Sequence, residues 1–192
     1  LYKYEDTDNG YPYLEFDGSN DFLNCVNNEI VEGGLFREHT VVWVAKPLSS
    51  DNVSLLFKNF ETANRKTIQL KYSFFSPNKN LLRGVITDEA NEEVEFDYDA
   101  TIGRHVFGYY LHNKSIHIFQ NGVHKVTNTT SGFDHSDWYF GDDTPLTLGA
   151  NKPSSPTDNF EGHIQELMIF NSRLSDDEMK KIHTYLQHKY KI

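Results

Sequence analysis

The sequence predicts an all-β fold, two antiparallel sheets packed as a sandwich and closed by one C-terminal α-helix, and three observations carry the prediction. From residue 13 to 170 the chain runs in short alternating apolar and polar stretches punctuated by Gly, Asn, Asp, Ser and Pro, the pattern of half-buried strands joined by tight turns. Asn121-Gly122 stands between two such stretches, and both residues tolerate the positive φ that a two-residue type I′ hairpin requires. Apolar spacing of helical period occurs only at the end, over residues 175–190.

Taken in order, the elements read as follows. Leu14 and Phe16 alternate with Glu15 and Asp17 ahead of the turn cluster Gly18-Ser19-Asn20, giving a first strand with one wet face. Thr40 to Ala45 is apolar on both faces and stops at Pro47, as expected of a strand covered on each side. Ser54 to Phe57, then Ile68, Leu70 and Tyr72, then Gly84 to Thr87 make three further runs. Val94, Phe96 and Tyr98 interleave with Glu93, Glu95, Asp97 and Asp99, so alternation backs an apolar face with an acidic one. His105 to Leu111 is rich in β-forming aromatics, and Ser115 to Phe119 and Val123 to Val126 are the arms of the hairpin. Leu146 to Gly149 is another strand, Asn151 to Asn159 with Pro153 and Pro156 an exposed loop, and Ile164 to Phe170, apolar on both faces, a strand in mid-sheet. Ser175 with Glu178 is a capping box, Leu174 and Met179 are placed for a hydrophobic staple, and Met179, Ile182, Leu186 and Tyr190, with Tyr185 beside them, form the stripe that docks the helix on the sandwich.

The 192 residues show no repeat or linker, so they are expected to form a loosely held lead-in over 1–12 and one domain over 13–192. Apolar residues make up 38% and aromatics 14%, enough to fill the space between two sheets. Twenty-eight acidic against 18 basic residues give a formal charge of −10, a field that repels phosphate backbones and anionic lipid surfaces and argues against nucleic acid as partner. A lone cysteine, Cys25, rules out an internal disulfide. No run is long enough for membrane insertion, and the start has no signal-peptide pattern; lacking an initiator Met, the chain reads as part of a larger protein or assembly.

Three stretches carry a family resemblance. Tyr13-Leu14-Glu15-Phe16-Asp17-Gly18-Ser19-Asn20-Asp21-Phe22-Leu23 resembles the opening strand and turn of laminin G-like and concanavalin A-like domains, His39 to Pro47 resembles their second strand, and Phe160 to Ser175 with the following helix resembles their closing strand. The resemblance implies a jelly-roll topology and a superfamily of sugar-binding modules, adhesive ectodomains, pentraxins, glucanases and virus-particle domains, many of which bind calcium. It implies an extracellular, cell-surface or virion setting.

Each chemistry open to that superfamily is tested against these residues. Glucanases of this shape carry Glu, Asp, Glu on one strand face for retaining hydrolysis, whereas Glu93, Glu95, Asp97 and Asp99 run Glu, Glu, Asp, Asp and read as a solvated face. His112, His117 and His124 match no structural zinc spacing, and no G-x-S-x-G is present. Calcium takes carboxylate and loop-carbonyl oxygens; Asp137, Asp142 and Asp158 lie in two loops flanking the Leu146 strand, and the resemblance implies calcium at such a loop rim, the other reading being solvated turn carboxylates. Sugars need aromatic platforms beside polar groups, which Trp138 and Tyr139 with Asp142 and Asp143 combine in one loop. The expectation is therefore a non-catalytic module that binds a carbohydrate or protein surface through its loop rim. A structural virion component is the alternative and a glycoside hydrolase the third reading.

Overall fold

Which residues lie between the sheets is decided by parity along the strands. The computed structural model describes residues 2–3, 9–25, 38–48, 53–58, 67–76, 79–87, 93–99, 103–133, 146–150 and 158–192. These hold β1 (Tyr2–Lys3), β2 (Tyr13–Asp17), β3 (Leu23–Cys25), β4 (His39–Pro47), β5 (Val53–Lys58), β6 (Thr67–Ser76), β7 (Lys79–Thr87), β8 (Glu93–Asp99), β9 (His105–His112), β10 (Ser115–Gln120), β11 (Val123–Thr129), β12 (Leu146–Leu148), β13 (Glu161–Phe170) and α1 (Asp176–Tyr190). One sheet has seven strands in the order β1-β2-β13-β4-β9-β10-β11, the other six in the order β3-β12-β5-β6-β7-β8. All paired strands are antiparallel, as the sequence predicts.

Strands β4 and β9 form the middle of the seven-stranded sheet and are buried on both sides. Val41, Trp43 and Ala45 of β4, with Phe107, Tyr109 and Leu111 of β9, join Leu55, Leu70, Leu82, Ile86 and Val94 of the other sheet in one core. The residues between them, Val42, Val44, Val106 and Tyr110, join Met179, Leu186 and Tyr190 of α1 in a second core on the outer face. That helical cover is why Thr40 to Ala45 has no polar face. Trp43 is fully buried and stacked on Phe107 at 5.7 Å between centroids.

The helix begins on the capping box read from the sequence. The Ser175 hydroxyl accepts from the Glu178 amide, and Glu178 Oε2 accepts from the Ser175 amide at 2.8 Å. These hydrogen bonds hold the Glu178 carboxyl below the usual range. One residue of the expected stripe is corrected: Tyr185 is exposed and His183 is buried. Positions 179, 183, 186 and 190 step by four, three and four, which keeps one face, whereas 185 falls away from it. Room for His183 comes from Gly108 of β9. A Cβ there would lie 2.8 Å from both His183 Nε2 and Met179 Cε.

The hairpin is as expected: Gln120 pairs with Val123, and Asn121 and Gly122 have φ of 50° and 77°. A bulge lies between Ile118 and Phe119. Two short strands, β1 and β3, were not foreseen, since a strand of two or three residues has no period to read. Part of the lead-in is described. Asn9 is buried and its side-chain amide donates to the Tyr190 carbonyl at 2.9 Å, so this part of residues 1–12 is fastened to the helix end.

Candidate functional site

A break in the sheet between β2 and β13 opens a cleft. The two strands pair from Glu161–Asp17 to Ile164–Leu14 and no further. Pro12 precedes β2 and has no N–H to continue the ladder. On the other side, β13 shifts register against β4 between Ile164 and Glu166, so Gln165 is an inserted residue and turns the strand locally. The resulting cleft, about 460 Å³, is lined among others by Tyr11, Tyr13, Gln165, Glu166, Lys189 and Tyr190.

The walls are fixed by hydrogen bonds among residues far apart in sequence. Gln165 Nε2 donates to Asn9 Oδ1 at 3.2 Å, and Asn9 Oδ1 also accepts from the Tyr11 amide at 3.1 Å. Tyr11 meets Tyr190 edge to face at 5.3 Å, and Tyr13 lies on the His163 ring at 4.1 Å. Glu166 Oε2 accepts from Lys189 Nζ at 2.7 Å and from the Tyr190 hydroxyl at 2.5 Å. The bond to Glu166 raises the Lys189 ammonium above the usual lysine range, and burial first, then the same carboxylate, pushes the Tyr190 phenol up to about 12. Two phenol rings beside a charged donor–acceptor pair are the elements that sugar recognition uses: a flat apolar surface for ring C–H groups and directed partners for hydroxyls.

Sequence reasoning did not single out this cleft. In the sequence Tyr190 reads as helix stripe and Leu14 as part of a strand face, and the Glu166–Lys189 pair has no motif to mark it. The available signals were Pro12 directly before a strand and the polar pair Gln165-Glu166 interrupting an apolar run.

Of the residues singled out from sequence, Asp137, Trp138, Tyr139, Asp142 and Asp143 lie outside the described residues. Asp158 is described, half-buried with φ of 51°. Among the described residues no group of three or more His, Cys, Asp or Glu side chains is arranged to hold a metal ion. In the acidic strand β8, which is the edge of the six-stranded sheet, Glu95 is exposed and paired with Arg83 at 2.5 Å. A general acid needs burial or a close like charge instead. His112 meets Glu38, while His117 stacks on Tyr110 at 4.5 Å and shares the Thr127 hydroxyl with His124. No described helix is long and apolar enough to cross a membrane.

A laminin G-type family model described as the concanavalin A-like lectin/glucanases superfamily matches residues 37–180. No curated protein matches the sequence. Among solved structures, the sialidase CBM40 of Ruminococcus gnavus bound to α2,3-sialyllactose is similar at 18% identity and a TM-score of 0.68, over 95% of this chain and 98% of that one. Domain 4 of a GH43 extracellular arabinanase from Geobacillus stearothermophilus, in complex with arabinotriose, is similar at 16% identity and a TM-score of 0.64, over 96% of this chain and 81% of that one. A heptameric SAP-like pentraxin from Limulus polyphemus is similar at 11% identity and a TM-score of 0.63, over 88% and 80%. At these identities the likeness is one of fold.

Proposed function

The chain belongs to the concanavalin A-like lectin/glucanases superfamily, and from that premise we propose that it is a non-catalytic recognition module that binds glycan. The observation that carries the reading is the cleft, where Tyr11 and Tyr13 stand beside the Glu166–Lys189 pair. Support comes from the neighbours solved with sialyllactose and arabinotriose, which are sugar-binding domains of this shape. The arabinanase neighbour is extracellular, and an extracellular or cell-surface setting is proposed here on the same ground.

An enzymatic role is not favoured, because Glu95 lies on an exposed edge in an ion pair. For an assembly role, the exposed large apolar side chains among the described residues are Leu48, Val123 and Tyr185, each on a different segment of the chain. The rim set Trp138, Tyr139, Asp142 and Asp143 is kept as the competing platform, and calcium at Asp137, Asp142 and Asp158 as a separate proposal.

A glycan-array screen of the chain, with and without calcium, tests the reading beside Tyr13→Ala and Trp138→Ala. Binding that survives Trp138→Ala and is lost in Tyr13→Ala supports the cleft. Loss in Trp138→Ala alone moves the site to the rim, and a blank array refutes the module.

A further inference from the structure

The chemistry of the cleft narrows the class of sugar, an inference that rests on the glycan-binding reading. Lys189 is the cation lining the cleft and Glu166 the anion, and they are joined at 2.7 Å. Two consequences follow. The positive charge of Lys189 is already compensated, and any acidic group drawn to it would come up against the Glu166 carboxylate as well. In a partly dry cleft, two like charges a few ångströms apart repel strongly. The chain as a whole, at a formal charge of −10, adds to that repulsion.

The pair is also incompletely used. Glu166 takes both of its donors, Lys189 and Tyr190, on Oε2, so among the described residues Oε1 keeps its acceptor capacity. Lys189 gives one of its three N–H groups to that carboxylate and a second to the Tyr190 hydroxyl, which leaves one. A carboxylate with an acceptor to spare and an ammonium with a donor to spare thus stand joined, Oε2 and Nζ being 2.7 Å apart. Two adjacent hydroxyls on a sugar ring match them, one donating to Glu166 while its neighbour accepts from Lys189. Each hydroxyl then bonds a charged group without bringing charge of its own, the stronger kind of hydrogen bond. Tyr13, packed at a 30° tilt on His163 with 4.1 Å between centroids, offers a ring for the C–H face of the same sugar.

We infer that the Tyr13–Glu166–Lys189 cleft takes a neutral sugar presenting a vicinal diol and discriminates against acidic sugars. In this it departs from the sialyllactose-bound neighbour and sits with the arabinotriose-bound one. The roles are separable: Glu166 and Lys189 read the hydroxyl pair, and Tyr13 supplies sequence-independent stacking to any sugar.

A matched pair of ligands isolates the charge. Titration calorimetry of the chain with lactose and arabinotriose, against α2,3-sialyllactose, is expected to show the neutral sugars bound at least roughly tenfold tighter than the acidic one, a difference of about 1.4 kcal/mol. Glu166→Gln keeps the acceptor oxygen but removes the charge, so it should weaken the neutral sugars while narrowing the gap to sialyllactose. Lys189→Met should weaken the neutral sugars too. Melting curves check the folding of both variants, with Tyr13→Ala as the control that lowers every affinity in parallel. Tighter binding of sialyllactose, or neutral binding indifferent to both Glu166→Gln and Lys189→Met, overturns the inference while the glycan-binding reading stands. Failure of all three sugars and of the wider array overturns both.

Discussion

Acidification strips stability from this fold through His183, and the size of the effect follows from where the ring lies. The side chain is fully buried between α1 and β9, its Nδ1 accepts from the Gly122 amide at 3.0 Å, and its Nε2 has no hydrogen-bond partner among the described residues. Burial lowers its pKa from the ordinary 6.5 to about 4, so the folded protein holds it neutral. The unfolded chain takes up the proton first, and acid therefore favours unfolding. This contribution is intact above about pH 6.5 and is lost as the pH falls toward 4, reaching about 3 kcal/mol in full and about 2 kcal/mol between pH 7 and pH 5. In a domain of this size, 2 kcal/mol corresponds to a melting temperature lower by roughly 4–8 °C. Other groups contribute their own pH dependence, so the measurement is a difference. Urea unfolding of the wild type and of His183→Asn is followed at pH 7, 6 and 5. Asn keeps an oxygen to accept from Gly122 but does not titrate. The wild-type curve should fall steeply relative to the variant, and parallel curves would refute the assignment of a neutral, buried His183.

Other expectations bear on the same joint and on its neighbours. Gly108→Ala places a methyl 2.8 Å from His183 Nε2 and Met179 Cε and should cost about 2 kcal/mol by overpacking, read from the urea midpoint at unchanged slope. Gly149→Ala combines a φ of 83° with a Cβ 2.4 Å from the Phe16 ring and should be the more damaging of the two, lowering soluble yield as well as melting temperature. Ser175→Ala removes the hydroxyl that accepts from Glu178 and should cost about 1 kcal/mol, visible as a loss of a few degrees. One millimolar calcium raises the melting temperature if Asp137, Asp142 and Asp158 form a site, and a transition unmoved by calcium and by chelator removes that proposal.

Most of the fold was legible because two periodicities alternate along this chain without overlap. Val94, Phe96 and Tyr98 step by two, Met179, Leu186 and Tyr190 by three and four, and the double-sided run in β4 announced a cover on each face before the helix was seen to supply one. Legibility ended where the pattern depends on a partner. That an imidazole fits at position 183 depends on Gly108, 75 residues earlier, whose missing side chain makes the space. The cleft was hidden for a related reason: each of its residues has an ordinary local explanation, and only the register shift at Gln165 and the end of the ladder at Pro12 leave a gap for them to line. The rim read from sequence is conspicuous because its aromatics and carboxylates are nearly consecutive, and it lies outside the described residues.

Strand β13 is hydrogen-bonded to β2 and β4, so residues 161–170 are inserted between segments made near the start of the chain. Until those residues leave the ribosome, β2 and β4 have no common neighbour, and each keeps an open edge able to pair with another nascent chain. Pairings of such sequence separation form slowly. More than a hundred residues are thus made between β4 and the strand that closes the sheet, and protection of those two waiting edges during translation becomes the kinetic burden of this topology.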